Sequence, residues 1–108
     1  MTADERIVTF INSLDTKNSE ILEAVEKEAR ASSVPVIRRE MQSFLKTLLL
    51  MRKPMRILEV GTAVGFSALL MSEYAPEGCR ITTIENYEKR IPIARENFRR
   101  AGKEKQIA

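Results

Sequence analysis

Chemistry concentrates in one stretch, Glu59-Val60-Gly61-Thr62-Ala63-Val64-Gly65-Phe66-Ser67, where an acid, two glycines and a hydroxyl follow a short apolar run. The run itself, Ile57-Leu58-Glu59-Val60, reads as a buried parallel strand. Phe66 to Tyr74 reads as a helix, so Gly61 to Gly65 is a strand-to-helix turn. Such a turn is expected to aim backbone N–H groups outward, and the helix start adds positive partial charge. Glycine lets a ligand approach the backbone with no Cβ in the way. An adenosine-type ligand needs an acid at the end of the next strand to accept from its ribose hydroxyls. Glu85 stands there, directly after Ile84 and 20 residues beyond Gly65. Glu59 has few bland explanations, because an acid within a buried strand is costly unless paired or functional.

The glycine spacing narrows the ligand. A dinucleotide fingerprint is G-x-G-x-x-G, and its second glycine admits the pyrophosphate. Here Ala63 stands at that position, and no Gly-Lys-Ser/Thr follows to make a P-loop. An adenosine ligand without phosphates fits better. The chain has no His, which excludes imidazole bases, His-based triads and His metal ligands. The single cysteine, Cys79, has no accompanying base and reads as a loop or strand residue. Met41, Met51, Met55 and Met71 fall at core spacings and read as packing. Arg95, Arg99, Arg100, Lys103 and Lys105 read as a solvated helix face, with a substrate-RNA surface as the lesser alternative.

The elements that must carry these residues fall into two segments. Residues 1–53 read as helices. Thr2 and Glu5 make a capping-box pattern ahead of Ile7, Val8, Phe10, Ile11 and Leu14. Asp15 to Ser19 is a polar break, and Ser19 or Asn18 caps a second helix. That helix carries Ile21, Leu22, Val25 and Ala29 on one stripe, with Glu23, Glu26 and Lys27 opposite. Ser32 to Pro35 ends it. A third helix carries Met41, Phe44, Leu45, Leu48 and Leu49 at core-facing spacing and closes at Lys53-Pro54. Residues 54–108 then change period. A strand, a helix, a turn at Pro76 to Gly78, a second strand at Arg80 to Ile84 and a helix with Ile91, Ala94, Phe98 and Ala101 inward follow in order. Asn86 is the expected cap of that last helix, Gly102 its left-handed terminus, and Gln106 to Ala108 the entry to a third strand.

With those residues in place, the sequence resembles class I S-adenosylmethionine-dependent O-methyltransferases. The form E-x-G-T-x-x-G-[YF]-S at Glu59 to Ser67 is similar to the metal-dependent, catechol O-methyltransferase-like branch. Val34-Pro35-Val36-Ile37, Glu40 and Phe44-Leu45 are similar to short bacterial members, including tRNA 5-hydroxyuridine methyltransferases. The resemblance implies an α/β, Rossmann-like methyltransferase fold. It spans N-terminal helices at 1–53 and the first half of an S-adenosylmethionine-binding domain at 54–108, truncated at the third strand. It also implies roles for cofactor-binding residues. Ile37 would contact the cofactor, Glu59 and Gly61 would line its methionine end, Ser67 would hold the carboxylate region, and Glu85 would take the ribose hydroxyls. Ala63 departs from members with an aromatic at that position. The divalent metal (Mg) of this branch is implied as well, but no residue of the chain matches its Asp and Asp-Asn ligands.

The implied reaction is attack of a substrate hydroxyl on the sulfonium methyl, with 5-hydroxyuridine in tRNA as the first substrate and a small phenolic or catechol-like molecule as the alternative. A non-catalytic nucleoside-binding module is the competing class. Composition is compatible with each: 44% hydrophobic and 31% charged residues make a globular chain, and a net charge of +3 permits a nucleic-acid partner without requiring one. Acids near the start fit no signal peptide, and the longest apolar run, Leu48 to Met51, fits no membrane span, so a cytoplasmic protein without a membrane partner is expected. The apolar helices of residues 7–51 fit a homodimer interface. Since the matching metal ligands are missing, these 108 residues alone are expected to transfer no methyl group. A methyl-transfer assay on the isolated chain checks this.

Overall fold

Local signals place the elements closely. The computed structural model describes residues 4–13 and 17–108, so Thr2 and Leu14 to Thr16 lie outside the described residues. Asp4 opens α1 (Glu5–Ser13), its carboxylate accepting from the Arg6 N–H at 2.8 Å. Ser19 rather than Asn18 caps α2 (Glu20–Ala31), and its Oγ accepts from the Leu22 N–H. Helix α3 (Arg39–Arg52) stops at Lys53, held in the left-handed region at φ 48°. Strand β1 (Arg56–Val60), helix α4 (Phe66–Tyr74), strand β2 (Arg80–Ile84) and helix α5 (Ile91–Arg100) complete the order.

β1 and β2 pair in parallel with Arg56 opposite Arg80, Glu59 opposite Thr83 and Val60 opposite Ile84. Ile107 adds a parallel bridge to Ile81 along the other edge of β2, as the third-strand reading expects. The fold is therefore α/β with a small parallel sheet. Helix α4 is apolar nearly all round, as a fully enclosed helix must be: Ala68, Leu69 and Leu70 are buried, and α2, α3 and β2 pack around it. The core joins Leu22, Val25 and Ala29 of α2 to Val64, Phe66, Leu69, Leu70, Ile81, Ala94 and Phe98.

Several expectations are corrected. β1 is not buried on both faces: Leu58 and Val60 are 67% and 80% exposed, because α4 and α5 cover only the face of Ile57 and Ile81. α3 is rotated by one residue from its apolar stripe. Met41, Phe44 and Leu48 face outward, while Gln42, Leu45, Lys46 and Leu49 face the core. Polar side chains tolerate burial there because they have partners. Lys46 lies over the Tyr74 ring, 5.3 Å from its centre, and Gln42 is fully hydrogen-bonded. Glu26, expected on the outer face of α2, is buried for the same reason, bonded by Gln42 and paired with Arg30 and Arg39. Met41, Met51 and Met55 are exposed; of the methionines expected to pack, Met71 is buried. Asn86 does not cap α5: a turn intervenes, and Arg90 holds the cap position. Gly102 adopts the expected left-handed φ of 68°.

One glycine sets how α5 docks. At Gly65, φ is 91°, and an added Cβ would lie 2.5 Å from Phe98 Cε1. Only glycine lets the Phe98 ring press against the turn. Gly65→Ala combines a left-handed backbone penalty of about 1–2 kcal/mol with an overpacking cost of about 1–3 kcal/mol. A loss of about 2–5 kcal/mol is expected in urea unfolding; a variant within about 0.5 kcal/mol of the parent would refute this packing.

Candidate functional site at the strand ends

The turn between β1 and α4 is fixed from beneath. The Gly61 and Thr62 N–H groups both donate to Ile84 O, at 2.7 and 3.2 Å. The Ala63 N–H donates to Glu85 Oε1 at 2.8 Å, and Gly65 N–H to Thr62 O at 2.9 Å. From α5, Asn97 Nδ2 donates to Val64 O at 2.8 Å. This corrects the expectation that the turn aims its amides outward: at Gly61, Thr62 and Ala63 they are consumed by the end of β2. Ala63 holds φ 50°, a left-handed conformation that alanine rarely adopts and that a surrounding network must impose.

Four of the five residues expected to bind cofactor belong to this strand-end frame. Gly61, at φ 97°, has nothing within 4 Å of where a Cβ would project, so its backbone borders open space. Glu59 is half-buried, and its Oε1 accepts from Thr83 Oγ1 at 2.7 Å. Burial pushes this carboxyl above the usual range, opposed by the Thr83 hydrogen bond. Glu59 Oε2 has no hydrogen-bond partner among the described residues. Glu85 behaves oppositely. The Ala63 N–H, then the Tyr87 N–H on Oε2 at 2.9 Å, hold its carboxyl below the usual range. A carboxylate offers about four acceptor sites, so capacity remains for a ligand. Ser67 is the second residue of α4, partly exposed, with no side-chain partner among the described residues.

Ile37 is placed differently. It sits between α2 and α3, packed against the core, and its carbonyl accepts from Gln42 Nε2 at 2.9 Å. The structure thus ties Ile37, in the loop before α3, to that helix. Sequence reasoning missed Thr62, Thr83 and Asn97. Two of these are threonines that pattern as ordinary turn and strand residues, and Asn97 hides among the charged residues Arg95, Glu96, Arg99 and Arg100 of α5. A cavity of about 430 Å³ opens beside the site, where Thr62, Thr83 and Glu85 meet Ile91, Arg95 and Phe98 of α5. Cys79 is buried, which raises its thiol pKa and keeps it unreactive. Among the described residues, no group of three or more His, Cys, Asp or Glu side chains can hold a metal ion, so the implied metal does not fit here. Among them too, no helix is long and apolar enough to cross a membrane.

Comparison with known proteins gives this geometry a context. The profile of a family described as O-methyltransferase matches residues 12–108. A protein-L-isoaspartate O-methyltransferase from Methanococcoides burtonii is 36% identical over 62 residues, covering 57% of this chain and 30% of that protein. A catechol O-methyltransferase from Niastella koreensis is 34% identical over 64 residues, covering 59% and 29% respectively. An O-methyltransferase from Bacillus cereus, solved in complex with SAH, superposes with a TM-score of 0.80 at 26% identity, covering 94% of this chain and 47% of that one. The chain therefore spans under a third of these curated relatives and about half of the solved structure.

The environment of Glu59 sets a pH signature. A carboxyl raised in the folded state binds its proton more tightly there than when unfolded. Stability therefore falls as pH rises from the usual carboxylate value through the folded-state value. Glu59→Gln keeps the acceptor for Thr83 and removes the buried charge. It is expected to be more stable than the parent at pH 7, with the gap closing in acid, as thermal melts across pH would show. A less stable Glu59→Gln at pH 7 would contradict this.

Proposed function

The chain belongs to the O-methyltransferase family, and from that premise we propose that its strand ends hold the methionine and ribose portions of S-adenosylmethionine. One observation carries the reading. Glu59, one residue before the end of β1, and Glu85, directly after β2, stand at the same end of the parallel pair as Gly61, whose backbone borders open space. SAH in the Bacillus cereus relative supports it. Glu59 Oε2 takes the cofactor's ammonium, and Gly61 gives its chain room. Ser67, at the start of α4, faces the carboxylate, where helix N-termini favour anions. Glu85, fastened by two N–H donors, presents its remaining lone pairs to the ribose hydroxyls. Ile37 supplies an apolar contact from the neighbouring loop.

When bound, S-adenosylmethionine supplies an electrophilic methyl group for a substrate hydroxyl. The residues of this chain hold and orient rather than exchange protons, so their contribution is alignment. For the substrate we favour 5-hydroxyuridine in tRNA, supported by Arg95 on the wall of the neighbouring cavity and by the resemblance to short bacterial members. A catechol-like phenol is the alternative, supported by the Niastella relative. Either fits a cytoplasmic enzyme.

Calorimetry on the intact protein tests the cofactor reading. S-adenosylmethionine should bind, and Glu85→Ala should weaken it about ten- to hundredfold, as loss of hydrogen bonds to a charged group implies. No binding by the parent protein would overturn it. Substrate binding that falls steeply with salt would support RNA; salt-insensitive binding of a phenol would replace it.

A further inference from the structure

Thr83 is the residue the family reading leaves unexplained. Register places it directly opposite Glu59 on the parallel pair. Its hydroxyl has two oxygen neighbours, Glu59 Oε1 at 2.7 Å and Thr62 Oγ1 at 2.6 Å. A hydroxyl carries one proton, and a carboxylate only accepts. While Glu59 is ionised, the Thr83 proton must therefore point at Glu59, and Thr62 must donate to Thr83. Both hydroxyl protons then run in one direction, toward the carboxylate. Thr62 is buried and belongs to the turn whose amides β2 already holds, so the far end of the relay is fixed.

We propose that the Thr62–Thr83 hydroxyl relay is a positioning device that makes this site selective for a ligand carrying a cationic amine. The relay occupies Oε1 and holds the Glu59 carboxylate in place, leaving Oε2 as the oxygen with no hydrogen-bond partner among the described residues. A neutral hydroxyl placed at Oε2 leaves the half-buried charge uncompensated, whereas an ammonium group compensates it. The proposal rests on the cofactor reading above and adds that Thr83, which need not touch the ligand, decides the affinity for its amino-acid end.

Two probes separate the ends of the ligand. S-adenosylhomocysteine carries the ammonium, and 5′-methylthioadenosine carries the same nucleoside without it. In calorimetry on the intact protein, Thr83→Val should weaken S-adenosylhomocysteine about tenfold and leave methylthioadenosine within about twofold. Thr83→Ser, which keeps the hydroxyl, should bind both probes within about threefold of the parent. Thr62→Val should show the same selective loss at a smaller factor of about two to three, and it carries the test if Thr83→Val does not fold. Equal losses for both probes, or no loss in either valine variant, would overturn the relay while leaving the cofactor reading intact. A parent protein that binds neither probe would overturn both.

Discussion

Everything at the strand ends depends on the end of β2. Ile84 O and the Glu85 carboxylate together accept three successive amides of the turn, from Gly61, Thr62 and Ala63. These groups would otherwise be unpaired at the mouth of the sheet, where an unmade backbone bond costs about 1–3 kcal/mol. The parallel register makes the arrangement possible, because Val60 opposite Ile84 brings the end of β1 beside its acceptor. Ala63 is driven into the left-handed region as a consequence, and α5 closes the turn from the other side through Asn97 and the Phe98 ring. Glu85 thus has a structural duty before any ligand arrives.

The sequence was legible where local chemistry and periodicity decide structure. Both strands, α4, and the turn at Pro76 to Gly78 follow from apolar runs bounded by glycine and proline. The Glu59 and Glu85 placements follow from those strands. What stayed hidden depended on partners distant in the chain. The apolar stripe on α3 misleads because Gln42 lies 24 residues from Asn18 and 16 from Glu26, the groups that make its burial tolerable. The same blindness put Glu26 outside. Thr83 looked like a strand residue of no special kind until the register set it opposite Glu59.

The helical segment is joined to the loop before α3 by a buried polar node. Gln42 accepts from Asn18 and donates to both Glu26 and Ile37 O, using its amide completely in that direction. Glu26 in turn gathers Arg30 and Arg39. Asn18 Oδ1 is left buried without a partner, but Gln42 is bonded at both ends of its amide, and these directional bonds fix one arrangement of α2, α3 and the Ile37 loop more sharply than apolar packing would. Position, rather than net stability, is what this node contributes to the Ile37 loop.

The sheet face bearing Leu58, Val60 and Ile84 has a separate consequence for the molecule's solubility. Among the described residues β1 pairs along one edge only, with β2. A strand with apolar side chains outward and an unpaired row of backbone groups is a template on which further strands can add. Unless other protein covers it, β1 makes this chain adhesive, and the strand that carries Glu59 is also the one most exposed to aggregation.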